Sequence, residues 1–130
     1  MNIEYKKFVN EYDPVSVGWN LAGKDILLEF SQPITAVFSE KLGKVVVEIY
    51  DENKLNFYDA NGTLEFSSFL PSLDNYQYRG INRNIESKTA ISFLFHPVAQ
   101  SVGNKWRDTE QYELDLQCIN FLGKKLGIYR

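Results

Sequence analysis

Side chains able to make or break bonds are scarce in this chain. Its 130 residues include one cysteine, Cys118, and one histidine, His96. A lone cysteine excludes an internal disulfide, and one His with one Cys gives no ligand set of the usual zinc spacing. No Gly-x-Ser-x-Gly nucleophile turn and no glycine-rich phosphate loop occurs. No apolar run approaches the ~20 residues of a membrane helix, and Met1 to Lys7 lacks the apolar centre of a signal peptide. Positive charge is short as well. The net charge is −3, which argues against a dedicated nucleic-acid or membrane-surface protein, since both usually carry a positive excess. These absences lead us to expect a cytoplasmic protein with a free thiol, no metal and no cofactor.

Aromatic residues are plentiful. Nine Phe, eight Tyr and two Trp make up 15 % of the chain, enough to supply large buried area and to favour strands. A chain of this length can bury roughly two-thirds of its unfolded surface without a metal or disulfide, so a single domain over 1–130 is expected. The charge is unevenly spread. Residues 1–65 carry six Lys and eleven Asp or Glu, a balance of −5; residues 66–130 carry eight Lys or Arg and six Asp or Glu, a balance of +2. The acidic half is a candidate for meeting a basic partner, although a solvated acidic surface that keeps the protein soluble has the same composition.

Strand signals dominate. Tyr5, Phe8, Val9 and Tyr12 share one helical face and predict a short helix over 3–12, ended by Asp13-Pro14. Val15, Val17, Trp19 and Leu21 alternate with small or polar residues as a strand does, and Ala22 to Asp25 reads as a turn. Strands are then predicted at Ile26–Phe30, Ile34–Phe38 and, most clearly, Val45–Tyr50 with its β-branched run. Residues 67–84 are less regular, with an edge strand over Tyr76–Ile81. Thr89–Phe95 is nearly all apolar and predicts a central strand buried on both faces, stopped by His96-Pro97. A polar loop carrying Trp106 covers 99–108. The C-terminal segment leaves two readings open. Tyr112, Leu114, Leu116 and Cys118 alternate as in a strand over 110–118, followed by a short helix or turn over 119–126. Alternatively, Asp108 caps a helix with Gln111 reaching back and Gly127 closing its end.

A small repeat falls within this run. Tyr50-Asp51-Glu52-Asn53-Lys54-Leu55 matches Tyr58-Asp59-Ala60-Asn61-Gly62-Thr63-Leu64 in its Tyr, Asp and Asn, eight residues apart. Each copy is an aromatic strand end entering a turn, and Asn61-Gly62 suits a tight hairpin with positive φ. Two turns at that spacing describe a β-meander. The units resemble hairpins of β-propeller blades and of YD-repeat proteins over residues 45–66; a propeller needs at least four blades, and the chain is too short for one. The fold class expected is therefore α+β, mainly antiparallel β, with about six to eight strands whose meander forms a sandwich or half-open barrel, plus a short N-terminal helix and, on one reading, a short C-terminal one.

Candidate chemistry is thin. His96 ends an apolar strand, where a hydrogen-bonded structural histidine is the simpler reading, and Cys118 reads as a packing residue; together they make a dyad only where the fold joins them. Glu113 with Asp115 and Glu48 with Tyr50 share strand faces and could do acid–base chemistry, but so does the polar face of any half-exposed strand. Tyr76, Tyr78, Arg79 and Arg83, and Lys105-Trp106-Arg107, interleave aromatic and cationic side chains as nucleic-acid surfaces do, in a pattern common in ordinary sheets. The reading that remains is a non-catalytic protein-binding module, most concretely an immunity- or antitoxin-type protein that neutralises a basic partner such as a toxin. Its expected partner-binding residues are Glu48, Asp51, Glu52, Tyr58 and Asp59, the carboxylates giving charge complementarity and the tyrosine contact energy. A β-barrel with an apolar ligand pocket and a small enzyme built on carboxylates or His96 are the alternatives.

Overall fold

A computed structural model describes residues 3–8, 15–98 and 109–128, the first of these segments by its backbone alone. The chain divides into two compact units, Met1–Leu70 and Pro71–Arg130. Residues 66–70 carry no charge, so the imbalance along the sequence follows this division: −5 for the first unit and +2 for the second.

The first unit holds two antiparallel sheets. One is ordered β1 (Ile3–Phe8), β2 (Ser16–Leu21), β3 (Lys24–Glu29); the other runs β4 (Thr35–Ser39), β5 (Lys44–Ile49), β6 (Lys54–Asp59), β7 (Leu64–Phe69) in sequence order, the meander anticipated from the repeat. One face of the second sheet presents Ala36, Val45, Val47, Ile49 and Tyr58, which cluster with Val17, Trp19 and Ile26 of the first sheet and with Ile34. The Trp19 indole Nε1–H donates to the Ala60 carbonyl at 2.8 Å inside this core, satisfying a polar edge that burial would otherwise penalise. Val46, Leu55 and Phe57, which alternate onto the opposite face, are also fully buried, so β5 and β6 are covered on both sides. That explains the β-branched run of β5.

Two hairpins show how local chemistry sets register. Ala22 and Gly23 both have positive φ, 50° and 88°, the pair required by a two-residue turn whose twist matches the strands it joins. The turn is therefore Ala22-Gly23 alone, and Lys24 and Asp25 already belong to β3. The Asn61-Gly62 connection is a residue longer. Gly62 N donates to the Asp59 carbonyl, Asp59 N to the Thr63 carbonyl, and only Gly62 has positive φ. Asp59 Oδ1 also accepts from the amides of Asn61 and Thr63. The first copy of the repeat is built differently: a single 3-10 turn over Tyr50–Glu52 closes on Asn53 in the left-handed region.

The second unit is one antiparallel sheet in the order β11 (Leu122–Ile128), β10 (Glu110–Leu114), β9 (Ile91–Pro97), β8 (Tyr76–Arg83). Its apolar row is Ile91, Phe93 and Phe95 on β9 with Ile81 and Leu114, all buried. Tyr78 and Tyr112 pack edge-to-face on Phe95 with ring centroids 5.6 and 5.5 Å apart. β9 is an interior strand as expected, but Leu94 and His96 on its other face are only half-buried.

Several expectations fail. The N-terminal helix is not seen among the described residues: residues 3–8 are strand β1, paired with β2 from Ile3↔Leu21 to Phe8↔Val17, and residues 9–12 of the expected helix lie outside the described residues. Backbone pairing with β2 outweighs a short helical periodicity, because an isolated helix of that length is marginal in water. Residues 64–69, read as irregular in part, form β7. There are more strands than the six to eight expected. No C-terminal helix forms either. The strand predicted over 110–118 stops at Leu114, and Cys118 sits in a turn in which its amide donates to the Asp115 carbonyl and Phe121 N to the Cys118 carbonyl. Asn120 and Phe121 both have positive φ, 56° and 58°, which a helix cannot contain, and residues 122–128 return as β11. The polar loop at 99–108, with Trp106 and Asp108, lies outside the described residues.

Candidate functional site

The five residues expected at a partner surface do not share one. Glu48 faces the same way as Val46 and is 5 % exposed, so no partner reaches it. Tyr58 faces the opposite way, into the core, where it meets Phe30 edge-to-face and its hydroxyl accepts a hydrogen bond from Asn56 at 3.1 Å. Asp59 lies at the β6–β7 turn and spends Oδ1 on that turn's amides. Asp51 and Glu52 lie at the other end of β6, about 20 Å away at ~3.3 Å per residue; both are exposed, and Glu52 is 3.9 Å from Lys54.

Only Asp51 and Glu52 keep company suited to binding. They share their turn with Tyr50, which is 54 % exposed, and the amide of Leu70 donates to the Asn53 carbonyl at 3.3 Å. That bond holds the end of β7 against the same turn, where Phe69 pairs with Lys54 and stands 75 % exposed. Two large aromatic side chains and two carboxylates thus sit at one end of the second sheet. The sequence reading missed Tyr50 and Phe69 because exposure is a tertiary property; Phe66 and Phe69 look alike along the chain, yet Phe66 stacks on Phe57 at 4.5 Å.

The carboxylates of β10 and Asp115, just beyond its end, are used structurally. Glu113 accepts from the amide of Lys88 at 2.6 Å, and Asp115 pairs with the Lys88 ammonium at 2.8 Å while Oδ1 accepts from Gln117 N. The Lys88 hydrogen bond, aided by that amide, holds the Asp115 carboxyl below the usual aspartate range and raises Lys88. The Cys118 thiol is pushed up, first by burial and then by Asp115, the direction opposite to a reactive thiolate. On the other face of the sheet Glu110 accepts from the Tyr112 hydroxyl at 2.9 Å and lies 3.4 Å from Lys125. Burial alone would raise its carboxyl; hydrogen bonds from Tyr112 and Tyr76 and the Lys125 ammonium outweigh it and hold it low. Tyr112 in turn is raised, by burial and by Glu110.

The other candidates separate as well. His96 pairs with Gln77 and lies one residue beyond the Phe95↔Glu110 pair, whereas Cys118 is tied to Asp115, past the Ser92↔Glu113 pair at the far end of β10. Sheet register puts them on the order of 20 Å apart, so they make no dyad. The rings of Tyr76 and Tyr78 are packed on Phe95 and do not form a stacking platform. Lys105-Trp106-Arg107 lies outside the described residues. Among the described residues no group of three or more His, Cys, Asp or Glu is arranged to hold a metal, and no helix is long and apolar enough to cross a membrane.

The second unit also carries an open recess of about 380 Å³ between the end of β8, the 84–87 turn, Gln111 and the end of β11. Its walls are mostly polar. Comparison with family models, curated proteins and solved structures finds no match.

Proposed function

We propose that the protein is a non-catalytic binding module whose partner is a basic protein, acting in the cytoplasm as an immunity- or antitoxin-type neutraliser. The observation that carries this reading is the patch of Tyr50, Asp51, Glu52 and Phe69 on the acidic unit. Exposed apolar side chains that cluster on a folded domain mark contact surfaces, aromatic anchors supply most of the energy of an interface, and neighbouring carboxylates steer a cationic partner towards it. The net charge of −5 over the first unit extends that steering beyond the patch. The employment of Glu110, Glu113 and Asp115 in holding strands and a loop supports affinity over turnover. The interface replaces the dispersed set Glu48, Tyr58 and Asp59 with Tyr50 and Phe69, and keeps Asp51 and Glu52.

The test is co-expression with the products of the genes adjacent to this one. One of them, basic and harmful when expressed alone, should become harmless and co-purify with the chain as a stoichiometric complex, and Phe69→Ala should weaken that complex. Adjacent products that neither bind nor harm would defeat the proposal.

A further inference from the structure

We propose that the recess on the second unit is a binding site for a neutral saccharide, independent of the acidic patch. Its lining is the first reason. Asn82, Asn84 and Gln111 contribute three carboxamides, a mixed set of donors and acceptors, and Arg83 and Glu86 contribute one charge of each sign. A recess with cancelling charges has no preference for an anion or a cation, while a mixed set of donors and acceptors matches hydroxyl groups, which do both. Leu126, Gly127 and Ile128 at the end of β11 close one side of it.

The second reason is that the lining groups are not all used up. Gln111 Oε1 accepts from Asn84 Nδ2 and from the Ser92 hydroxyl, each at 3.0 Å. Its carbonyl end is thereby fixed, and within the described residues both Nε2 hydrogens remain for a ligand. The Asn82 carboxamide has no hydrogen bond within the described residues. Glu86, exposed on the turn above, offers two carboxylate oxygens, the geometry that accepts from adjacent hydroxyls on a ring.

The third reason is preorganisation. The 84–90 turn that forms one wall is braced far beyond what a surface turn requires. Asn84 N donates to the Ala90 carbonyl, Ala90 N to that of Ser87, and Asn84 Oδ1 accepts from Glu86 N. Thr89 donates to the Leu114 carbonyl at 2.6 Å, and Glu113 takes the amide of Lys88. Ala90 is held at φ 63°, a conformation alanine seldom adopts. A wall built this firmly exacts little ordering cost on binding. Opposite it, Gly127 has nothing within 4 Å of where a Cβ would stand, which keeps the floor open, and the volume falls in the lower part of the ~300–1,000 Å³ range of ligand clefts.

The test is a 1H–15N NMR titration of the full chain with glucose, galactose, mannose, N-acetylglucosamine and maltose as separate probes. At least one should give saturable shifts at about millimolar concentration, centred on the Gln111 and Asn82 side-chain amides and on Gly127. Gln111→Glu keeps both accepted hydrogen bonds but replaces the Nε2 donors by a carboxylate oxygen and adds a negative charge, and for a neutral ligand the lost donors should weaken binding about tenfold. Asn82→Leu, which breaks no hydrogen bond within the described residues, is the second variant and should do the same. Absence of saturable shifts with every probe, shifts that map elsewhere, or binding unchanged in both variants would overturn the assignment.

Discussion

Replacing Gly62 by alanine separates backbone strain from steric exclusion within one sheet pair. Gly62 sits at φ +85° in the β6–β7 turn, and a Cβ built there would lie 2.8 Å from Ile26 Cγ2. That methyl belongs to a β-branched side chain 7 % exposed in the core, so it is not the loose end of a flexible group and cannot swing clear. Gly23 provides the control: its φ is +88°, but no atom lies within 4 Å of its Cβ position. Gly23→Ala should therefore cost only the left-handed backbone penalty, about 1 kcal/mol. Gly62→Ala should cost that plus an overpacking penalty of about 1–3 kcal/mol. Urea denaturation followed by circular dichroism reads both. In the pair Gly62→Ala with Ile26→Ala the clash is relieved, so the double variant should lose less than the sum of the singles by about 1–3 kcal/mol. Equal losses at Gly62 and Gly23, with no coupling to Ile26, would refute the packing of the hairpin on β3.

Three further outcomes follow from the cores and the ion pairs. Trp19→Phe leaves the buried Ala60 carbonyl without its donor and opens space in the core, and should lower stability by about 2–4 kcal/mol in the same urea assay. Thr89→Val removes the bond to the Leu114 carbonyl and the hydroxyl's contacts with Ser87 and the Ile91 carbonyl, and should cost about 1–3 kcal/mol. Glu110 and Asp115 both titrate below their ordinary values of 4.5 and 3.8 when folded, so the unfolded chain binds more protons in acid. Their stabilisation is present above pH 4.5 and is lost as pH falls through the lowered folded values. Melting temperature against pH should show that acid limb, and Glu110→Gln with Asp115→Asn should flatten it.

Much of the strand content was legible because it is written in local chemistry. The β-branched run at Val45–Ile49, the alternation at Val17 and Trp19 and the glycines at 23 and 62 each act within a few residues, and each predicts its element. Both ends misled. Tyr5, Phe8, Val9 and Tyr12 satisfy a helical spacing, but β1 is set by pairing with β2, a partner that periodicity does not include. Cys118 continues an alternating pattern that Asp115 ends by taking the amide of Gln117, and the left-handed Asn120 and Phe121 then reverse the chain. The candidate surface failed for a related reason. Glu48, Asp51, Glu52, Tyr58 and Asp59 lie within twelve residues of sequence, but β5 and β6 are antiparallel and pleated, so the turns go to opposite ends and Glu48 and Tyr58 to opposite faces. Closeness along a hairpin is not closeness in space. The acidic bias, by contrast, needed no geometry and follows the boundary between the units.

The acidic patch is tested most directly by the association rate of the chain with the basic product of an adjacent gene, measured by stopped flow from low to high salt. Asp51→Lys with Glu52→Lys should slow association about tenfold or more at low salt, and the difference should shrink as salt screens it. Asp74→Lys with Glu86→Lys, an equal reversal of two exposed carboxylates on the other unit, should change the rate far less. A rate independent of salt, or one that responds equally to both reversals, would contradict the account.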